Sequence, residues 1–282
     1  MSASKEINDH KGKRPLGIIA GSGSLPRIVI SAMQQAGRPV FVAALKGSAD
    51  QDPFDDVSHE WFNIGSGGSI VKAFRAEGVV DLVMIGGVNR PNFTDIRPDL
   101  WTATGLAKLG LKALGDNDLL VCIKDALEEE GFILRGVHEI VPDLLTPAGL
   151  LSKVKPDKKT QIDIERGIEV AQALGAVDVG QSVIVCNGIV LGVEGAEGTD
   201  KLIERCAALR HKDKGGVLVK LCKPQQDTRL DLPTIGVKTV ENLYMHGFQG
   251  LAVQAGRSLM PERAALIKQA NQKKIFVLGV EL

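Results

Sequence analysis

The richest set of reactive side chains in the chain is the run Lys223-Pro-Gln-Gln-Asp-Thr-Arg-Leu-Asp-Leu-Pro-Thr-Ile-Gly236. Lys223, Gln225, Gln226, Asp227, Arg229 and Asp231 place two cations, two carboxamides and two carboxylates within nine residues, beside two prolines that restrict the backbone. Such a set can hold a divalent ion, orient a water and balance phosphate charge. A solvated turn with an Asp231–Arg229 pair is the competing use. A second acidic group, Glu194-Gly-Ala-Glu-Gly-Thr-Asp200, opens a helical pattern. Thr199 or Asp200 can cap that helix, and Glu194 and Glu197 can supply oxygen ligands of the kind Mg²⁺ accepts.

Two glycine-rich stretches add a different chemistry. Gly21-Ser-Gly-Ser-Leu-Pro26 lies between an apolar run and a helical pattern, where backbone N–H groups and the helix dipole favour an anion. Gly21, Ser22 and Gly23 are its candidate contacts, and a plain strand-to-helix turn capped by Ser24 is the alternative. Pro26 occupies the third-glycine position of a dinucleotide fingerprint, and Leu45-Lys-Gly47 stands where an acidic ribose partner belongs; both disfavour NAD. Gly86-Gly-Val-Asn-Arg-Pro91 also follows an apolar run, and Gly86, Gly87 and Arg90 are candidates for phosphate contact. Asp116-Asn-Asp118 reads most simply as a helix N-cap. The histidines lack metal-ligand spacing, no serine falls in G-x-S-x-G, and the four cysteines form no C-x-x-C pair, which fits buried thiols in a reducing compartment.

Elements must exist to position these groups. Leu16–Ala20 reads as a strand, and Leu25, Ile28, Val29, Ala32, Met33 and Ala36 share a helix face. Strands are expected at 40–45, 61–64, 79–85 and 132–135, with helices at 69–77, 99–114 and 117–130. That order predicts a parallel sheet covered by helices. Beyond it come a helix at 159–174 and a hairpin, 182–186 and 189–193, turning on Asn187-Gly188. Helices at 200–210, 238–246 and 262–272 then alternate with strands at 217–221, 251–254 and 275–280. The fold class is therefore α/β in two domains, a Rossmann-like parallel sheet followed by a mixed sheet. We expect a loose tail over 1–14 and domains over 15–145 and 155–282, the boundary falling at the proline-rich and basic stretch between them.

Composition bounds the partners. The 34 basic and 34 acidic residues cancel, so no global field favours nucleic acid, and no apolar run or h-region marks a membrane span or secretory signal. We expect a cytoplasmic protein.

Together, L-G-I-I-A-G-S-G-S-L-P (16–26), G-G-V-N-R-P (86–91), L-T-P-A-G (145–149), G-Q-S-V-I-V…G-I-V-L-G-V-E-G-A-E-G-T-D (180–200) and K-P-Q-Q-D-T-R-L-D-L-P-T-I-G (223–236) resemble the UDP-2,3-diacylglucosamine pyrophosphatase family of the LpxI type. The resemblance runs from about residue 15 to the end, and the last motif is its most specific part. It implies a lipid A pathway step in a Gram-negative bacterium: Mg²⁺-assisted attack of water on the α-phosphorus, giving UMP and 2,3-diacylglucosamine 1-phosphate at a site between two domains. It assigns the essential aspartate to Asp227. On that basis Asp227 holds Mg²⁺ or takes the water's proton, Lys223 and Arg229, with Gln226 beside them, stabilise phosphate charge, and Glu194, Glu197 and Asp231 complete the metal site. Gly21, Ser22, Gly23, Gly86, Gly87, Arg90 and Thr199 would contact the substrate. A lipid-linked UDP-sugar calls for an apolar groove and contact with the inner-membrane surface, and a homodimer is compatible with this scheme. The competing readings are another nucleotide-sugar enzyme, a glycosyltransferase or dehydrogenase, and a nucleotide-sugar-binding protein without turnover.

Overall fold

The computed structural model describes residues 14–49, 54–88, 97–109, 116–210 and 215–282. By internal contacts the chain divides into two units. The first holds the residues up to Pro142 together with Arg229–Asp231, and the second holds Asp143–Thr228 and Leu232–Leu282.

In the first unit, β1 (Leu16–Ala20) is followed by α1 (Leu25–Gln35), β2 (Val40–Leu45), β3 (Ser58–Phe62), α2 (Gly67–Ala76) and β4 (Asp81–Ile85). Then come α3 (Leu100–Leu109), α4 (Asp116–Glu129), β5 (Ile133–Leu134) and α5 (Val137–Ile140). The strands lie in the order β3-β2-β1-β4-β5 and every pair is parallel. This is the Rossmann arrangement, in which the order reverses beside β1 and the loops after β1 and β4 leave neighbouring strand ends. β2 is buried along its whole length, as a central parallel strand covered on both faces must be. β3 differs from expectation: it starts at Ser58 rather than 61. Its polar residues alternate with half-buried ones because it is an edge strand with only one partner. Phe41, Phe74, Phe132, Leu82 and Leu127 form the core under α2 and α4, and Leu230 from the 229–231 segment is part of it.

In the second unit, β6 (Gly149–Leu150) precedes α6 (Lys158–Ala176) and the hairpin β7 (Ser182–Cys186) and β8 (Ile189–Val193). α7 (Gly198–Ala207), β9 (Val217–Lys220), α8 (Val237–Met245), β10 (Gly250–Gln254), α9 (Arg263–Lys273) and β11 (Phe276–Val280) follow. The sheet order is β6-β11-β10-β9-β7-β8, parallel through β9, β10 and β11 and antiparallel at β6, β7 and β8, so it is mixed. Asn187 and Gly188 take φ of 52° and 77°, the geometry a two-residue turn of the predicted kind needs. Asp163 of α6 accepts from both turn amides, which keeps that buried carboxylate satisfied. β6 and α5 were not anticipated: two and four residues are too short to leave a periodic signal. One core lies between the sheet and α7, α8 and α9, built on Ile184, Leu218, Leu251 and Ile203, and a second packs α6 against the other face. Among the described residues no helix is long and apolar enough to cross a membrane.

Candidate active site

In the first unit the loops after β1 and β4 meet. The Ser22 amide donates to the Gly87 carbonyl at 2.8 Å, the Gly87 amide donates back to Ser22 at 2.9 Å, and the Ser22 hydroxyl also donates to the Gly87 carbonyl at 3.1 Å. A Cβ on Gly21 would stand 2.4 Å from the Gly87 carbonyl oxygen, and one on Gly86 2.6 Å from the Gly21 carbonyl carbon. These glycines therefore let two backbones pass each other. Gly23 is exposed with φ of +96°, and nothing crowds its missing side chain. Ser24 makes no side-chain capping bond to α1, contrary to the simpler expectation. Arg90 lies outside the described residues. α4 is described from Asp116, and the side chains of the expected cap Asp116-Asn-Asp118 lie outside the described residues.

In the second unit the motif loop leaves β9 at Lys220. The Leu221 amide donates to Gln181 at 2.9 Å and the Cys222 amide to the Gln254 side chain at 3.0 Å, which fixes the loop's departure. Lys223 pairs with Asp178 at 2.7 Å. The Gln225 amide donates to the Gly175 carbonyl at the end of α6 at 2.7 Å. Gln226 folds its carboxamide back on its own turn, where it accepts from the Lys223 amide at 3.4 Å. Asp227 is half-buried and lies just beyond this turn. The chain returns through Thr234, which bridges to Leu259, and the Ile235 amide donates to the Leu259 carbonyl at 3.0 Å.

Arg229 and Asp231 fall in the first unit. There Arg229 donates to Glu128 of α4 at 3.2 Å, and Lys124 pairs with the same carboxylate at 3.2 Å. The Lys124 ammonium is also held by Asp125, and that hydrogen bond, ahead of the Glu128 contact, raises its pKa. Asp231 is exposed.

The second acidic cluster does not gather into one ligand set. Glu197 lies on the surface, bonded to Arg205 at 2.8 Å and to the Gly195 amide at 3.2 Å. The guanidinium beside it holds its carboxyl below the usual range. Glu194 is buried: one oxygen accepts the Thr199 hydroxyl at 2.9 Å, and the other has no hydrogen-bond partner. Thr199 is not the cap expected of it. α7 starts one residue earlier, and the hydroxyl is spent inward on Glu194, with the buried Lys220 ammonium donating to it at 3.0 Å. Asp200, the other expected cap, pairs with Lys238 at 2.8 Å. Among the described residues no three of His, Cys, Asp and Glu are grouped as a metal ion would require. Asp227, Glu194, Glu197 and Asp231 thus do not form a common cage.

Sequence reasoning missed Asp178, Glu128 and Lys220, all partners of motif residues, and Lys124, which shares the Glu128 carboxylate with Arg229. Asp178, Glu128 and Lys124 carry no local signal, because only the fold brings them beside the motif. Lys220 did carry one: it is a charge closing an otherwise apolar strand.

A Rossmann-ordered parallel unit followed by a mixed-sheet unit, each with polar loops at strand ends, defines a two-unit α/β protein. The LpxI N-terminal domain matches residues 15–144 and the LpxI C-terminal domain residues 147–278, and the chain belongs to the LpxI family. It is similar to the UDP-2,3-diacylglucosamine pyrophosphatase LpxI of Caulobacter vibrioides, 40% identical over 275 residues, which cover 95% of this chain and 98% of that protein.

Proposed function

We propose that this protein hydrolyses the diphosphate of UDP-2,3-diacylglucosamine, water attacking the α-phosphorus to release UMP and 2,3-diacylglucosamine 1-phosphate, a step of lipid A biosynthesis. The observation that carries this reading is the end-to-end similarity to a relative named for acting on that substrate. Both domain families match as well, so neither half of the chain lacks its counterpart.

The chemistry suits the residues. Hydrolysis of a diphosphate asks for an aligned water and neutralised charge more than for a protein nucleophile. In our reading Asp227 is the catalytic carboxylate, whose role is to align the water and accept its proton. The turn braced by Gln225 and Gln226 limits where that carboxylate can go. Lys223 exchanges part of its contact with Asp178 for a phosphate oxygen, and Arg229 supplies a second cation. The glycine loops and the N-terminus of α1 are the proposed binding surface for the UDP phosphates.

Mg²⁺ is the proposed cofactor. It commonly takes only one or two protein carboxylates and completes its shell with waters and substrate phosphates, and Asp227 is its candidate anchor, a role alternative to accepting the water's proton. Glu197 is unsuited, because Arg205 already neutralises it. When bound, the ion supplies positive charge at the diphosphate. The acyl chains make contact with the inner-membrane surface part of the same proposal, and assembly as a homodimer is compatible with it.

Incubation with UDP-2,3-diacylglucosamine and Mg²⁺ in ¹⁸O-labelled water tests the reaction. Heavy oxygen is expected in UMP. Label confined to the lipid phosphate places attack on the other phosphorus, and absence of both products removes the hydrolase reading.

A further inference from the structure

Lys220 is the last residue of β9, and the three before it, Val217, Leu218 and Val219, are wholly buried. Lys220 itself is only 8% exposed. By strand alternation its side chain shares a face with Leu218, which packs toward α7 and α8. An ammonium at such a place is costly unless its donors are well used.

The structure shows where they go. Nζ donates to the Thr199 hydroxyl at 3.0 Å and to the Thr234 carbonyl at 3.4 Å. Thr199 in turn donates its single proton to Glu194 at 2.9 Å and lies 3.3 Å from the Ser182 hydroxyl. With Lys220 and Ser182 donating, both lone pairs of that hydroxyl are engaged. Ser182 stands directly across from Lys220 in the β7–β9 register, so the hub rests on the sheet itself. The buried Glu194 carboxylate balances the buried ammonium through one hydroxyl.

The contact to Thr234 gives this arrangement its consequence. Lys220 precedes the motif loop and Thr234 ends it. One side chain therefore ties the loop's exit to its entrance, and Asp227 lies between them. Deleting that tie leaves the anchors at the Gln181 and Leu259 carbonyls and the Gln254 side chain in place while freeing the loop base. We propose that Lys220 is a positioning residue: its buried ammonium, held by Thr199 and Glu194, clamps the base of the 221–234 loop and sets the Asp227 carboxylate. This rests on the catalytic reading of Asp227 given above.

The test compares wild type, Lys220→Met and Lys220→Arg by UMP release and by hydrogen exchange of the amides of residues 222–234. K220M is expected to lose about 100-fold in kcat with KM within about threefold, because a misplaced catalytic group costs transition-state rather than ground-state binding. Its loop amides are expected to exchange about tenfold faster or more, while β7 and β10 keep their protection. K220R, which can still donate to the Thr234 carbonyl, should recover at least about tenfold of the lost kcat and slow the loop again. A folded K220M with normal kcat or unchanged loop exchange overturns the proposal. Should K220M not fold, K220R decides: near-normal kcat and loop protection support the clamp, whereas normal protection with kcat still lost assigns Lys220 some other task. Wild type without UMP release would remove the hydrolase reading, and the exchange data would still judge the clamp.

Discussion

The two units prepare their polar loops in opposite ways. After β1 and β4 the work is done by backbone: glycines pass within a few ångströms of one another, Ser22 and Gly87 exchange amide bonds, and Ser24 does not cap α1. After β9 it is done by side chains, each tied to the protein before any ligand arrives: Lys223 to Asp178, Gln225 to Gly175, Gln226 to its own turn. A backbone surface tolerates many side chains but no added Cβ, and it suits the binding of a charged group that does not react. A braced side-chain loop suits a group that must sit at one distance from a reacting atom.

The sharpest break between the two would come from Asp227→Ala. We expect kcat to fall by about 10³-fold or more with substrate binding, by calorimetry, nearly unchanged. Normal turnover in that variant would refute the assignment, and lost binding would make the β9 loop a binding surface like the other.

On the backbone side the counterpart is Gly86→Ala beside Gly23→Ala. Gly86 has φ of +93° and its Cβ would meet the Gly21 carbonyl carbon at 2.6 Å, backbone against backbone, so neither strand can yield without separating the loops. We expect about 3 kcal/mol of lost stability, read by urea unfolding, and weaker binding of UDP. Gly23 has similar φ but open space, so Ala there should cost only about 1 kcal/mol. Equal costs at the two positions would show that conformation, and not the close approach, governs this loop pair.

Lys223 sharpens the comparison on a smaller scale. If its pair with Asp178 is a resting contact, Asp178→Asn should leave kcat within about threefold, whereas Lys223→Met should lower kcat/KM by about tenfold. The reverse order would make Lys223 a brace of the α6 end and not a phosphate partner.

The contrast also explains what was readable beforehand. Backbone devices announce themselves, because glycines at 21, 23, 86 and 87 and the Asn187-Gly188 turn are residue types chosen for conformation, and apolar periodicity placed the strands that carry them. Side-chain braces do not. Asp178 and Glu128 look like ordinary surface acids until α6 and α4 bring them to Lys223 and Arg229. Glu194 and Glu197 look equivalent in the sequence, yet the first is buried under Thr199 and the second is spent on Arg205 at the surface. β3 was displaced for a related reason. An edge strand that begins Ser58-His59-Glu60, with Ser58 and Glu60 exposed, has too little apolar content to be distinguished from loop.

The same division runs along a single strand. β4 ends at the glycine loop and begins at Asp81, which Arg38 holds at 2.7 Å and Arg135 at 3.0 Å. Burial pushes the Asp81 pKa up, but the hydrogen bonds and charges of the two guanidinium groups outweigh it, so the folded-state value lies below the ordinary 3.8. A depressed carboxyl pKa adds stability that is fully present above the unfolded value and is lost as pH falls through the folded one. Asp81→Asn should therefore lower the urea midpoint at pH 7 by the equivalent of about 1–2 kcal/mol. The gap to wild type should hold down to about pH 5 and then close as the solution is acidified below about pH 4. UMP release at pH 7 should be unchanged, since this end of the strand faces away from the glycine loops. A gap that stays constant into acid would mean that Asn replaces the carboxylate as a neutral acceptor and that charge contributes nothing there, whereas lost activity would couple the two ends of β4 and erase the division between them.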